Sequence, residues 1–194
     1  MARIIDFDEL KDIGERKILN ESTTFDGIIS KASRDDNYKN VFLSYSSKDK
    51  ELLPGVIKIL ENHNGKVYID KGDNRLPVTT SVETAKILKD TIQKLPRMVV
   101  FVTTKSKDSK WIPWELGLGD GSKKNYDIAI FPSAENRYDE SWTKQEYLGL
   151  YRRIVFGKYA DYDKEIWMVC NCKENTATPL KDWLNVNSSQ RGMW

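Results

Sequence analysis

From Val41 onward, short apolar runs alternate with stripes of apolar residues at helical spacing. Val41-Phe42-Leu43-Ser44-Tyr45 is a run of buried-strand type. Leu52, Leu53, Val56, Ile57 and Leu60 then share a helix face, and Pro54 and Gly55 place that helix's start near Pro54. Lys66-Val67-Tyr68-Ile69-Asp70 predicts a second strand ending on an acidic residue, followed by a loop over Lys71–Pro77. Thr80 and Glu83 have capping-box spacing ahead of a helix that Val82, Ala85, Leu88, Ile92 and Leu95 continue on one face. Arg97–Thr103 is the third and most apolar strand, Asp127–Phe131 the fourth and Glu165–Cys170 the fifth; Pro179–Leu184 closes the chain as a short amphipathic helix. Such alternation is the signature of a doubly wound α/β domain with a mainly parallel, five-stranded sheet and helices on both faces. In such sheets ligands bind beyond the carboxyl ends of the strands.

Residues 1–39 are more polar. Phe7, Leu10, Ile13, Lys17 and Ile18 fit a short amphipathic helix, and 26–40 has turn composition, so 1–39 is read as an N-terminal extension packed on a main domain of residues 40–194. The chain carries 31 basic and 29 acidic residues, a net charge of +2, too balanced for a protein that lives on phosphate-backbone electrostatics. No nucleic-acid partner is expected. The longest apolar runs, Met98–Val102 and Ile166–Cys170, fall far short of the roughly 20 residues of a membrane helix, and the acidic N-terminus has no signal-peptide pattern. A soluble, cytoplasmic protein without membrane contact is the expectation.

Cysteine and histidine narrow the chemistry. Cys170 and Cys172 are spaced badly for a mutual disulfide or a zinc site and read as small fillers. His63, the single histidine, falls in a turn with no nucleophile nearby, which argues against triad or metal chemistry. Three strand-end segments remain: Phe42–Ser47, Asp70–Pro77 and Ser109–Leu116. In the last, Ser109 or Asp108 can cap a helix opening near Lys110, and Trp111 and Glu115 then stand at i and i+4 on one face. Gly117, Gly119 and Gly121 read as that helix's stop rather than a phosphate loop.

Taken together, these segments resemble the TIR (Toll/interleukin receptor) domain family. Phe42-Leu43-Ser44-Tyr45-Ser46 is similar to its first box, and Tyr68-Ile69-Asp70 with the Pro77-containing loop to its second. Ser109-x-Trp111-x-x-x-Glu115-Leu116 is similar to the motif of its enzymatic members, and the tracts at 110–117 and 145–151 resemble free-standing bacterial proteins of antiphage, Thoeris-like type. The resemblance spans roughly Asn40 to Cys172. It implies a flavodoxin-like fold and an enzyme that cleaves the nicotinamide–ribose bond of NAD, giving ADP-ribose, a cyclic isomer or a conjugate. Glu115 would be the catalytic residue, and Phe42, Ser44, Tyr45, Ser46, Asp70 and Trp111 would line the site; NAD is substrate, and no cofactor or metal is implied. Self-association through Lys71–Pro77, a phage-derived trigger and a nucleotide-sensing effector are the implied partners. Where enzymatic relatives carry basic residues after the first strand, this chain has Ser46 and Ser47. The competing readings are a non-catalytic TIR interaction module and a nucleoside deoxyribosyltransferase-like enzyme.

The chemistry suits a single carboxylate. Breaking the nicotinamide–ribose bond passes through an oxocarbenium-like state, as glycoside cleavage does. Pyridinium departs as a neutral base, so no general acid is needed, and one positioned carboxylate can stabilise the developing positive charge.

Overall fold

The computed structural model describes residues 2–34, 38–70, 81–106, 109–139, 146–159 and 162–185. The elements are β1 (Ile5–Asp6), α1 (Phe7–Asn20), α2 (Phe25–Ser33), β2 (Val41–Ser44), a 3-10 helix (Ser47–Leu52) and α3 (Leu53–Asn62). β3 (Val67–Tyr68), α4 (Val82–Lys94), β4 (Arg97–Thr103), α5 (Trp111–Ser122) and β5 (Ile128–Ala134) follow. A hairpin of β6 (Arg152–Lys158) and β7 (Glu165–Asn171), then β8 (Thr176–Pro179) and α6 (Leu180–Leu184), complete the described chain.

The sheet order is β3-β2-β4-β5-β6-β7-β8, with β1 beside the end of β5. Pairing from β3 to β6 is parallel, which is the flavodoxin-like doubly wound order. β7 and β8 extend the sheet antiparallel. Every residue of β2, β4 and β5 is buried, as strands covered on both faces require. One face packs Leu43, Val99, Phe101 and Phe131 against α1, α2, α3 and α6. The other packs Phe42, Met98, Val100 and Ile130 against α4 and α5 through Leu88, Ile92, Ile112 and Leu116.

Close backbone contact joins α1 to α3. A Cβ at Gly55 would lie 2.1 Å from the Leu10 carbonyl oxygen, so only glycine admits α1 there. Lys17, buried in that contact, donates to Glu61 at 2.5 Å and Glu21 at 2.9 Å. At the start of β4, Arg97 donates to the Trp183 carbonyl at 2.7 Å and pairs with Asp127, pinning α6 to the sheet.

Four expectations are corrected. Among the described residues the sheet holds eight strands rather than five: β1, β6 and β8 are additions. β6 opens on the two arginines 152 and 153, and β8 reads Thr-Ala-Thr-Pro, so neither shows an apolar run. Residues 26–40, turn-like in composition, include most of α2, which Thr24 caps by accepting from Gly27 N–H at 3.1 Å. α4 is capped by Ser81 with Thr84 in the reciprocal position, one residue on from the Thr80–Glu83 pair. Gly117, Gly119 and Gly121 lie inside α5, which runs on to Ser122. A Cβ at Gly119 would meet the Met98 sulfur at 2.4 Å, so this glycine lets the helix sit close on β4 rather than ending it. Among the described residues no helix is long and apolar enough to cross a membrane.

Candidate functional site

The carboxyl ends of β2, β3 and β4 bring three separate segments together. Ser44 ends β2, Asp70 follows β3, and the chain leaving β4 leads into α5, which carries Glu115 on its second turn. Ser44 Oγ donates to Glu115 Oε2 at 2.5 Å, across 71 residues of sequence. Ser44 is fully buried and Glu115 only 3% exposed, so this is a short contact to a carboxylate inside the protein. Hydrogen bonds to a charged acceptor are stronger than neutral ones, and low local dielectric strengthens them further.

Tyr45 is the next residue and is also buried. Burial pushes its phenol pKa well up, and the negative charges of Asp70 and Glu115 push it further the same way. Tyr45 therefore keeps its proton, and both carboxylates lie within electrostatic reach of its hydroxyl. The structure thus gathers Ser44, Tyr45, Asp70 and Glu115. Ser46 sits beside them and accepts from Lys48 N–H at 3.3 Å, capping the 3-10 helix.

Phe42 is placed differently. Its ring is wholly buried on the α4/α5 face, 5.8 Å from the Tyr68 ring centroid, and belongs to the core rather than to an open ligand wall. Trp111 is 37% exposed at the start of α5. Its indole meets Trp114 edge to face at 5.4 Å, and the two rings line a surface cleft of about 450 Å³ with Ala85 and Lys110. Although Trp111 and Glu115 are one helical turn apart, the carboxylate turns inward and the indole outward. Trp114 and Ala85 escape a sequence reading centred on the Trp111–Glu115 pair, although Trp114 stands at i+3 from Trp111 on the same stripe.

The entry to α5 has no side-chain cap at Lys110; instead the Ser109 hydroxyl accepts weakly from Ile112 N–H at 3.4 Å. Asp108 and the loop Lys71–Pro77 lie outside the described residues. His63 caps the end of α3, its ring nitrogen 2.6 Å from the Ile59 carbonyl, at the edge of the sheet away from the site. Cys170 and Cys172 are free thiols on the β6–β7 side, and burial pushes the Cys170 thiol up.

The arrangement holds one oriented carboxylate, buried against Ser44 at the carboxyl edge of the sheet, with Asp70 acting on the same tyrosine and an aromatic cleft on the outward side of the same helix. A family model described as TIR domain matches residues 41–165. The chain is also 32% identical over 151 residues to a protein of Bacillus cereus (strain MSX-D12) named "Probable 3' cyclic ADP-D-ribose synthase ThsB'", a match covering 76% of this chain and 76% of that relative. With its parallel core in the order β3-β2-β4-β5-β6 and a family match over more than half its length, the chain belongs to the TIR domain family.

Proposed function

We propose that this protein is an NAD-consuming TIR enzyme that cleaves the nicotinamide–ribose bond and closes the ADP-ribose fragment into a cyclic isomer, in antiphage defence. The observation that carries the reading is the buried Ser44–Glu115 contact at the carboxyl edge of the sheet. Similarity to a relative named for cyclic ADP-D-ribose synthesis supports the choice of product.

In this reading Glu115 faces the ribose carbon that loses nicotinamide. The C–N bond breaks, its electron pair leaves with neutral nicotinamide, and the carboxylate offsets the positive charge left on the ring. An oxygen then attacks the same carbon and releases its proton. A ribose hydroxyl of the same molecule gives a cycle, and water gives linear ADP-ribose. Ser44 holds the carboxylate in one orientation. Trp111 and Trp114 offer an apolar wall for a planar ring.

Glu115 is covered in this state, so reaction at it requires the surrounding strand-edge residues to open. Self-association through Lys71–Pro77, together with a phage-derived trigger, is the step we assign to that opening, and a nucleotide-sensing effector would read the product. Incubating purified protein with NAD and separating the products by mass spectrometry tests the reading. Nicotinamide with a cyclic ADP-ribose isomer is the expected result; unchanged NAD in dilute, concentrated and triggered samples alike would refute it, and base exchange on deoxynucleosides would favour the transferase alternative.

A further inference from the structure

Asp49, on the 3-10 helix after β2, is a charged-type residue with no solvent exposure. Its Oδ1 accepts the Thr103 hydroxyl at 2.7 Å, while Oδ2 is buried with no hydrogen-bond partner among the described residues. Burial pushes its carboxyl pKa up, against the pull of the Thr103 hydroxyl and the Lys105 ammonium. Burying a carboxyl with one oxygen unanswered is costly, and such a group persists where the surrounding structure depends on it.

Its connections show what depends on it. Asp49 N–H donates to the Ser46 carbonyl at 2.9 Å, which ties it to the segment carrying Ser44 and Tyr45. Thr103 ends β4, and its hydroxyl also accepts from Lys105 N–H at 3.0 Å. Thr103 N–H donates to Ser106 Oγ at 2.7 Å, and Ser109 N–H donates to the Ser106 carbonyl at 2.9 Å. Ser109 in turn meets Ile112 N–H in the first turn of α5. Hydrogen bonds joined through short stretches of backbone thus lead from Ser46, two residues past β2, through Asp49 and Thr103, to the first turn of the helix that carries Glu115.

We propose that Asp49 is a positioning residue: its contact with Thr103 sets the end of β2 against the start of α5 and so holds Ser44 and Glu115 at their short distance. Asp49 touches neither Glu115 nor any reacting atom in this account, so it acts only through the two segments it joins. The catalytic part of the proposal rests on the NAD-cleaving reading above, whereas the tie between β2 and α5 does not.

The test compares Asp49→Ala, Thr103→Val and the double variant with the parent, and uses Thr103→Ser as the conservative rescue. Turnover is measured per folded molecule, and amide hydrogen exchange is measured over 44–46, 109–116 and, as a reference, β7. The expected result is a kcat lower by about tenfold, the scale of one hydrogen bond to a carboxyl, with KM within about threefold. Exchange should rise over 44–46 and 109–116 and stay at the parental rate in β7. Thr103→Ser should restore both, and the double variant should lose no more than the worse single one. Parental kcat with parental exchange over 109–116 overturns the proposal, as does additivity of the two single losses. Should Asp49→Ala fail to fold, Thr103→Val and Thr103→Ser decide alone. If the parent itself leaves NAD untouched, the functional reading has failed, and the exchange comparison still decides whether Asp49 ties β2 to α5.

Discussion

Replacing Ser44 with alanine removes one oxygen and almost no volume, so it isolates the hydrogen bond to Glu115. The donor is fully buried, the acceptor is 3% exposed and the oxygens are 2.5 Å apart, so solvent screening does not dilute the contact. A hydrogen bond to a charged partner contributes about 1.5–3 kcal/mol. If that energy is used to hold the carboxylate where positive charge develops, its loss slows turnover by roughly ten- to 150-fold at about 1.4 kcal/mol per decade. Glu115 keeps its other contacts, so the fold should persist, with a stability loss of no more than about 3 kcal/mol. The assay pairs the rate of NAD consumption with a urea unfolding curve on the same preparation. A variant that loses stability yet consumes NAD at the parental rate would show that the bond only braces the fold, and a faster variant would show that Ser44 restrains the carboxylate instead of aiming it.

Trp111→Ala should impair turnover while costing about 1 kcal/mol of stability, the scale of an exposed aromatic pair; a loss of several kcal/mol would mean that the indole is part of the core. Lys123 donates to the Leu95 carbonyl, and burial, followed by the nearby Arg97, lowers its pKa to about 8 from an ordinary 10.5. Between those values the unfolded chain binds more protons than the folded one, so stability rises with pH there. The stability of the parent relative to Lys123→Met should therefore grow from pH 8 to 10, and a flat or falling difference in pH-dependent urea unfolding contradicts the burial of the ammonium. Specific activity should increase with protein concentration, and replacing Arg75 and Leu76 together with alanine should lower it in concentrated samples without moving the melting temperature. A flat concentration profile from a monomer with high turnover would remove the need for self-association.

The parallel core was legible because strands covered on both faces must be apolar throughout. Val41–Leu43, Met98–Val102 and Ile128–Phe131 show that without ambiguity. Strand β6 was not. Arg152 and Arg153 begin β6 where the strand is only half covered, so the pattern of a buried strand is absent although the hydrogen-bonded ladder is present. Gly119 misled in the opposite direction: a glycine that suggests a helix stop is there because α5 lies against Met98. At the candidate site, the Trp111–Glu115 spacing predicted the helix that the structure contains, but spacing alone gives a shared side and not a direction. Glu115 turns toward Ser44 because a serine at the end of β2 offers it a donor, whereas Trp111 finds Trp114 at the surface. Asp49 left no signal in the chain, since a lone aspartate among lysines reads as solvated surface. Only the fold places it beneath Thr103.

The most direct measurement is NAD turnover by Glu115→Gln beside the parent under the conditions that best support activity. Glutamine keeps the volume and can still accept from Ser44, so it removes the negative charge and little else. Loss of one preorganised electrostatic group lowers turnover by about 10²–10³-fold, and that loss, with an unchanged melting temperature and an active parent, is the expected result. A folded Glu115→Gln protein that releases nicotinamide at the parental rate would contradict the central claim that this buried carboxylate stabilises the cleaving ribose.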